Sequence, residues 1–345
     1  MSGRLERLRA GLEQPLLVTS PVNVLYLTGF SSSNAAVLVG PDRARLYTDF
    51  RYIERARAAE GVEAVETPRA VLPALAEILD GTIGFEADHV TYAGWQTLGA
   101  NGLALVPTQG VVEALRTIKE PAELDAIRAA AEISDRAFEA LAQERFTGRT
   151  ERELAWRLDQ LLHDFGGEGP AFETIVAAGE NGSRPHAIPG DRPIESGTLV
   201  TIDAGTTVGG YRSDCTRTFS TGDLPDELAR IYDVCLAAQE AGVAAVRAGV
   251  TGVEGDAAAR RVIEAAGYGK RFGHGLGHGV GLNIHEAPTL RPESTDTLVA
   301  GNTVTIEPGI YLPGAGGVRI EDLVTVTEDG CERLTRFTKD LITVA

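Results

Sequence analysis

At 345 residues, 43% of them apolar, the chain is long enough for one large or two ordinary domains with a core that needs no covalent staples, which argues against a disordered or disulfide-scaffolded protein. A net charge of −17 offers no excess of Lys and Arg to phosphates, so neither a nucleic acid nor an anionic membrane surface is an expected partner. Three cysteines (Cys215, Cys235, Cys331) without a Cys-x-x-Cys spacing, no signal-peptide core at the start and no run near 18 apolar residues predict a cytoplasmic protein with neither a cysteine zinc site nor a membrane span.

Up to about residue 115, the short apolar runs PLLVTS, NVLYLTGF, AAVLVG and ARLYTDF, cut by Pro, Gly and Asn, read as strands. They alternate with helical spacing such as RYIERARAAE between Phe50 and Glu60, which predicts a small α/β domain. Pro121 suits the first turn of a helix, and apolar residues then recur three or four apart through Leu141. The boundary falls near Lys119, giving domains 1–118 and 119–345. In the second, helical stretches at 121–144 and 151–164 precede one set of strands, and stretches at 225–247 and 253–266 precede another. GTLVTIDAG (197–205) matches GNTVTIEPG (301–309), with Asp203 opposite Glu307. Arg212-x-Asp214 in YRSDCT is matched in turn by Arg319-x-Glu321 in GVRIED. Two matches in the same order and at nearly the same offset point to an internally duplicated α+β domain.

Each repeat reads as an antiparallel hairpin. Folding the first about Gly209-Gly210 brings Asp203 and Asp214 nearly opposite, where Cβ atoms lie about 4.5–5.5 Å apart. Val200 and Ile202 have the other parity and are expected in the core. Folding the second about Gly314 brings Glu307 near Glu321. Paired like charges beside apolar residues need a proton, an arginine or a cation. They suit a solvated sheet face with Arg212 and Arg319 as partners, a carboxylate pair sharing a proton as in glycoside hydrolysis, or a metal site. The presence of both hairpins in one duplicated domain favours metal, because four carboxylates balance two divalent ions. GHGLGHGVGLNIHE (Gly273 to Glu286) adds His274, His278 and His285, three of the six histidines. An imidazole among oxygens shifts the preference from Mg²⁺ or Ca²⁺ toward Mn, Co, Fe or Zn, and the glycines let backbone approach a crowded centre. No convincing helix follows the run, which disfavours a dinucleotide loop.

IDAG, then Asp214 eleven residues after Asp203, GHGLGHGVGLNIHEAP, TIEPG and GGVRIED, in this order over about 160–325, resemble the creatinase or pita-bread metallopeptidases (M24-like). Within that family the likeness is closest to the Xaa-Pro dipeptidases (prolidases) and Xaa-Pro aminopeptidases, whose small N-terminal α/β domain NVLYLTGF also resembles. The resemblance implies a duplicated pita-bread catalytic domain, a homodimer and a dinuclear centre of manganese, with cobalt or zinc as alternatives. Asp203 would bind one ion, Asp214 and Glu321 would bridge both, and His278 and Glu307 would complete the second. A metal-bridging hydroxide would attack the carbonyl before proline, Glu307 would carry the proton to the leaving nitrogen, and His285 would stabilise the tetrahedral intermediate. His186, in NGSRPHAIPG, would contact substrate at the scissile bond; His274, Arg319 and Tyr211 would support the ligands or substrate. The implied substrates are Xaa-Pro dipeptides, with longer Xaa-Pro-Yaa peptides as the alternative.

One departure bears on that choice. Some prolidases carry a basic residue after the His-Glu-x-Pro stretch, where this chain has Thr289; the nearest cation is Arg291. Methionine aminopeptidases share the five ligands but usually lack the N-terminal domain, and creatinases lack the ligands. A non-catalytic binding module on the same fold would be expected to have lost ligands. His89, His163, Trp95 and Trp156 read as structure, and Cys215 as a buried thiol.

Overall fold

The computed structural model describes residues 2–344. The chain forms two compact units divided between Arg116 and Thr117. The first contains α1 (Ser2–Ala10), β1 (Leu16–Val18), α2 (Pro21–Thr28), β2 (Ala35–Val39), β3 (Ala44–Thr48), α3 (Ile53–Ala56), β4 (Glu63–Glu66), α4 (Val71–Ile78), β5 (Thr82–Glu86), α5 (Tyr92–Gly99), β6 (Ala104–Thr108) and α6 (Val111–Arg116). Its mixed six-stranded sheet runs β4-β3-β2-β1-β5-β6, antiparallel from β3 through β1 and parallel at the β3–β4, β1–β5 and β5–β6 pairs.

Two local expectations change here. NVLYLTGF is the body of helix α2, not a strand: Pro21 sets the first turn and Gly29, at φ 69°, closes the helix in a left-handed cap. The helical spacing after Phe50 yields only the four residues of α3, which has no side-chain cap and must give way to β4.

The second unit contains α7 (Pro121–Leu141), α8 (Glu151–Asp164), β7 (Ile175–Ala178), β8 (Leu199–Ala204), β9 (Thr207–Val208), β10 (Tyr211–Arg212), β11 (Cys215–Ser220), α9 (Asp226–Ala245), α10 (Gly252–Ala265), β12 (Gly277–Gly279), β13 (Glu286–Leu290), β14 (Thr303–Ile306), β15 (Gly309–Leu312), β16 (Gly316–Arg319), β17 (Asp322–Val326) and β18 (Cys331–Arg333). Each half supplies two helices, an antiparallel sheet and a two-stranded ribbon. The sheets are β11-β8-β7 and β13-β12-β14-β17-β18, and the ribbons are β9–β10 and β15–β16. The second helix of each half even starts alike: Thr150 and Thr251 accept hydrogen bonds from Glu153 N and Glu254 N, completing matching capping boxes.

Two equivalent cores follow. Ile127, Ala130, Ala131, Ser134, Phe138 and Leu141 form the buried stripe of α7 at helical spacing; Phe138 packs with Leu158 of α8 and with Val200 and Ile202 of β8. Ile231, Cys235 and Ala238 of α9 and Ile263 of α10 pack on Val304, Ile306 and Val324. A leucine-sized side chain buried this way contributes about 1.5–3 kcal/mol. Cys215 is fully buried, and burial pushes its thiol well above the ordinary range.

The two sheets meet along β11. Glu321 N donates to Thr216 O, and Thr218 Oγ1 donates to Arg319 O at 2.9 Å. The fully buried Arg217 donates to Asp322 Oδ1 at 2.9 Å, to Phe337 O and Thr338 O, and to Glu321 O. Asp322 also faces Arg333 and Lys339 at 3.0 and 3.2 Å. Burial alone would raise its carboxyl, but these three cations hold it below the usual range. Arg217→Met should therefore lower the unfolding free energy by about 3–5 kcal/mol in urea titration, since it strips a buried carboxylate of its central partner. A loss under 1 kcal/mol would show that the pair is not what joins the sheets.

Candidate metal centre

The four predicted carboxylates fall where a core sheet gives way to its ribbon. Asp203 is near the end of β8, Asp214 lies between β10 and β11, Glu307 between β14 and β15, and Glu321 between β16 and β17. Register explains the geometry. In the second half Ile306 pairs with Asp322 and Gly309 with Arg319, so Glu307 and Glu321 lie opposite, as the fold about Gly314 predicts. In the first half Asp203 pairs with Thr216. Asp214 is thus its diagonal neighbour on the same face, not its direct partner, because the two-residue turn at Gly209-Gly210 places the partner two residues further on. One oxygen each from Asp203, Asp214 and Glu321 nonetheless lies within 4.8 Å of the others.

His278 of β12 completes the group. Its Nε2 stands 3.3 Å from Glu307 Oε1 and 3.7 Å from Asp214 Oδ2. Its Nδ1 lies 3.1 Å from Gly279 O. A carbonyl only accepts, so Nδ1 carries a hydrogen; when Nε2 gives up its proton, its lone pair faces the acids, the tautomer a metal ligand needs. The glycines around it are a packing requirement: a Cβ at Gly277 would stand 1.9 Å from Thr305 O, and one at Gly279 would stand 2.4 Å from Ala287 O. β12 can enter between β13 and β14 only with a bare backbone.

Electrostatics shows what this arrangement costs. Burial, then the charges of the neighbouring carboxylates, pushes Asp214 and Glu321 well above the ordinary carboxylate range. Burial also raises Asp203, against the pull of Arg319. Burial opposes the charge of Glu307 too, but the hydrogen bond and charge of His278 hold it down to about 2. The same contact raises His278 against its own burial. One Asp203 oxygen, Oδ1, is buried without a hydrogen-bond partner, while Oδ2 accepts from Arg319. An orphaned buried carboxylate oxygen, acids that resist ionisation together and a forward-facing imidazole fit divalent cations well.

Arg319 is the main brace. It donates to Asp203 Oδ2 at 2.7 Å, to Thr216 Oγ1, Tyr311 Oη and Pro185 O at 3.1 Å each. His274 Nε2 lies 2.9 Å from Tyr311 Oη and its Nδ1 2.8 Å from Gly275 O, so its ring is fixed at the edge of the cluster. The ring centroid of His285 lies 4.3 Å from that of His278; partial burial of the ring, then the charge of His278, lowers its pKa. His186 is exposed at the same cavity. These residues line a cavity of about 790 Å³ with an apolar side of Phe172, Ile175 and Ile188. That volume suits a short peptide or similar small ligand.

Tyr211 departs from expectation: its hydroxyl donates to Glu123 Oε1 of α7, because β10 turns that face toward the helix. The tyrosine at the site is Tyr311, which the sequence reading missed. Its place in the second hairpin, four residues after Glu307, was the available signal. Arg212 bonds the Leu282 and Ala171 carbonyls and not the acids, so the solvated-face reading fails for the first hairpin. His89, 3.0 Å from Thr19 Oγ1, belongs to the first unit.

Sequence profiles of two families match the chain: Metallopeptidase family M24 over residues 125–328, and the Creatinase/Prolidase N-terminal domain over 4–118. The chain is 37% identical to a Xaa-Pro dipeptidase of Pyrococcus furiosus, over 99% of this chain and 100% of that one. Among solved structures, a Xaa-Pro dipeptidase from Bacillus anthracis superposes with a TM-score of 0.96 at 39% identity, covering 99% of both chains. An X-Pro aminopeptidase from Thermotoga maritima gives 0.91 at 33% identity, covering 99% of this chain and 100% of that one.

Asp214 and Glu321 have folded-state pKa values raised above their unfolded ones. Without a cation each therefore subtracts stability once the pH exceeds the unfolded value. A dication and protons compete for the same oxygens. Added Mn²⁺ should accordingly raise the melting temperature more at about pH 7.5 than at about pH 5, with about 2.7 kcal/mol of stabilisation when free ion exceeds its dissociation constant by about 100-fold. Asp214→Ala should abolish the rise and His89→Ala should keep it; an equal rise in both variants would place the ion elsewhere.

Proposed function

The chain belongs to metallopeptidase family M24, and from that membership together with the carboxylate and histidine cluster we propose that it hydrolyses the peptide bond before proline, acting on Xaa-Pro dipeptides. The observation that carries the reading is the set Asp203, Asp214, His278, Glu307 and Glu321, gathered beside a cavity that also admits His186 and His285. These five residues would hold two divalent ions, Asp203 on one, His278 and Glu307 on the other, with Asp214 and Glu321 shared. A single nitrogen among carboxylate oxygens suits manganese, with cobalt or zinc as alternatives.

When bound, such ions supply Lewis acidity, lowering the pKa of a water toward neutrality and polarising a carbonyl. The side chains do the remaining work. Arg319 fixes Asp203 and, through Pro185 O, the wall that carries His186. His285 has a lowered pKa, so it is neutral at neutral pH and can donate one N–H to the oxyanion that develops on the scissile carbonyl. Glu307 is the group to carry a proton to the leaving proline nitrogen. Phe172, Ile175 and Ile188 give an apolar surface for the residue before proline. His274, through Tyr311, keeps Arg319 in register.

Thr289 favours a second reading, cleavage of longer Xaa-Pro-Yaa peptides. Its hydroxyl and amide are both spent on Asp296, and the cations lining the cavity among the described residues are Arg291 and Arg319. A cytoplasmic homodimer is part of the same proposal; the three cysteines are all free thiols, in keeping with a reducing compartment.

An assay of Gly-Pro and Gly-Pro-Gly with Mn²⁺ and with chelator tests the reading. Turnover should require the ion and should be faster on the dipeptide; preference for the tripeptide would establish the second reading, and no metal-dependent turnover of either would refute both. His285→Ala should cut kcat by about 10²–10³-fold with metal content unchanged.

A further inference from the structure

The N-terminus of α8 is already capped by Thr150 and Glu153, yet the next residue, Glu151, turns into the protein and is buried. Its Oε1 accepts from Ala178 N at 2.7 Å. Its Oε2 accepts from Gly190 N at 2.7 Å and from Asn181 Nδ2 at 2.8 Å. No cation pairs with it among the described residues; three N–H groups stand where water would be. Burying a carboxylate costs several kcal/mol unless such bonds replace hydration, and short charge-assisted ones are the strongest of their kind.

The donors are a specific set. Ala178 N and Gly190 N bound the stretch 179–189, and Asn181 lies inside it. That stretch leaves β7, makes a short 3₁₀ turn over Gly179–Ser183 and then presents Pro185, His186, Ala187, Ile188 and Pro189 to the cavity. Asn181 Nδ2 also donates to Ile188 O at 3.2 Å, closing the stretch on itself. On the cavity side Arg319 holds Pro185 O, and the backbone of Gly182 packs on that of Gly317. Glu151 itself neither lines the cavity nor touches the carboxylate cluster.

We propose that Glu151 is a positioning residue: its carboxylate pins both ends of the 179–189 stretch and thereby sets where His186 stands over the substrate. The activity arm of the test rests on the peptidase reading above; the structural arm does not. Glu151→Gln keeps the shape but replaces one acceptor with an NH₂ group facing an N–H. Asn181→Ala removes one donor and leaves the buried carboxylate intact, so it decides the matter should the first variant fail to fold.

Hydrogen–deuterium exchange should rise by about tenfold or more across 178–190 in either variant, while β8, β11 and β14 stay protected and bound Mn²⁺ stays stoichiometric. On Gly-Pro, kcat/KM should fall by about 10- to 100-fold in Glu151→Gln, and by less in Asn181→Ala, as expected for a contact displaced by about an ångström. His186→Ala and the Glu151→Gln/His186→Ala double variant should agree within about twofold, because the first acts through the second. Unchanged exchange across 178–190, or losses that multiply in the double variant, would overturn the proposal. A wild-type protein that fails to cleave Gly-Pro sinks the peptidase reading, and exchange alone then decides the pin.

Discussion

The second unit is organised around a repulsion. Four carboxylates are carried by the junctions of two ribbons with their sheets, and burial and mutual charge resist their ionising together. A fold does not keep such a group for stability, because apolar side chains at the same places would serve better. The arrangement makes sense when positive charge is supplied at the centre. Part of it is built in, as Arg319 on Asp203. The orphaned Asp203 Oδ1 marks where the built-in supply ends.

The same constraint explains the rigidity around the cluster. Like charges can be held close only if each has no lower-energy direction in which to swing. Thr216 therefore donates to Glu321, and Thr305 lies 3.2 Å from Glu307 as its donor. His278 is fixed by a carbonyl behind it, and β12 is stripped to glycine on both sides so that it can lie between its neighbours. The buried Arg217–Asp322 pair, directly behind the cluster, ties β11 to β17 and so holds the two halves in register. Residues far from the acids thus bear on the distances between them.

Much of this was legible in the residues. The duplication, the two hairpins, the parity that sends Val200 and Ile202 inward and the carboxylates of the cluster follow from period-two alternation and from matched positions in the repeats. What was hidden depended on long-range partners. Whether NVLYLTGF becomes helix or strand is settled by its Pro and Gly ends and by its neighbours, because so short an apolar run satisfies either period. Tyr211 and Tyr311 both stand on ribbon strands near the acids, and only the tertiary fold sends one to α7 and the other to Arg319. Glu151 looks like an ordinary first-turn acid on a charged helix; its donors lie 27 to 39 residues away.

The repeat also shows where symmetry was given up. Arg212 and Arg319 occupy matching positions, each two residues before an acid of the cluster. Arg319 crosses from the second half to Asp203 of the first and to the wall that carries His186. Arg212 crosses the other way to the carbonyl of Leu282, bracing the turn that leads to His285, and bonds Ala171 O within its own half. The repeated position therefore braces both the stretch that carries His186 and the turn before His285 through backbone carbonyls, and Arg319 adds a carboxylate. Arg319 holds Asp203, the shorter of the two matched acids, at 2.7 Å. The opposite side has a glutamate that reaches His278 on its own. The two matched acids thus differ in partner as well as in length by one methylene: an arginine for Asp203 and an imidazole for Glu307.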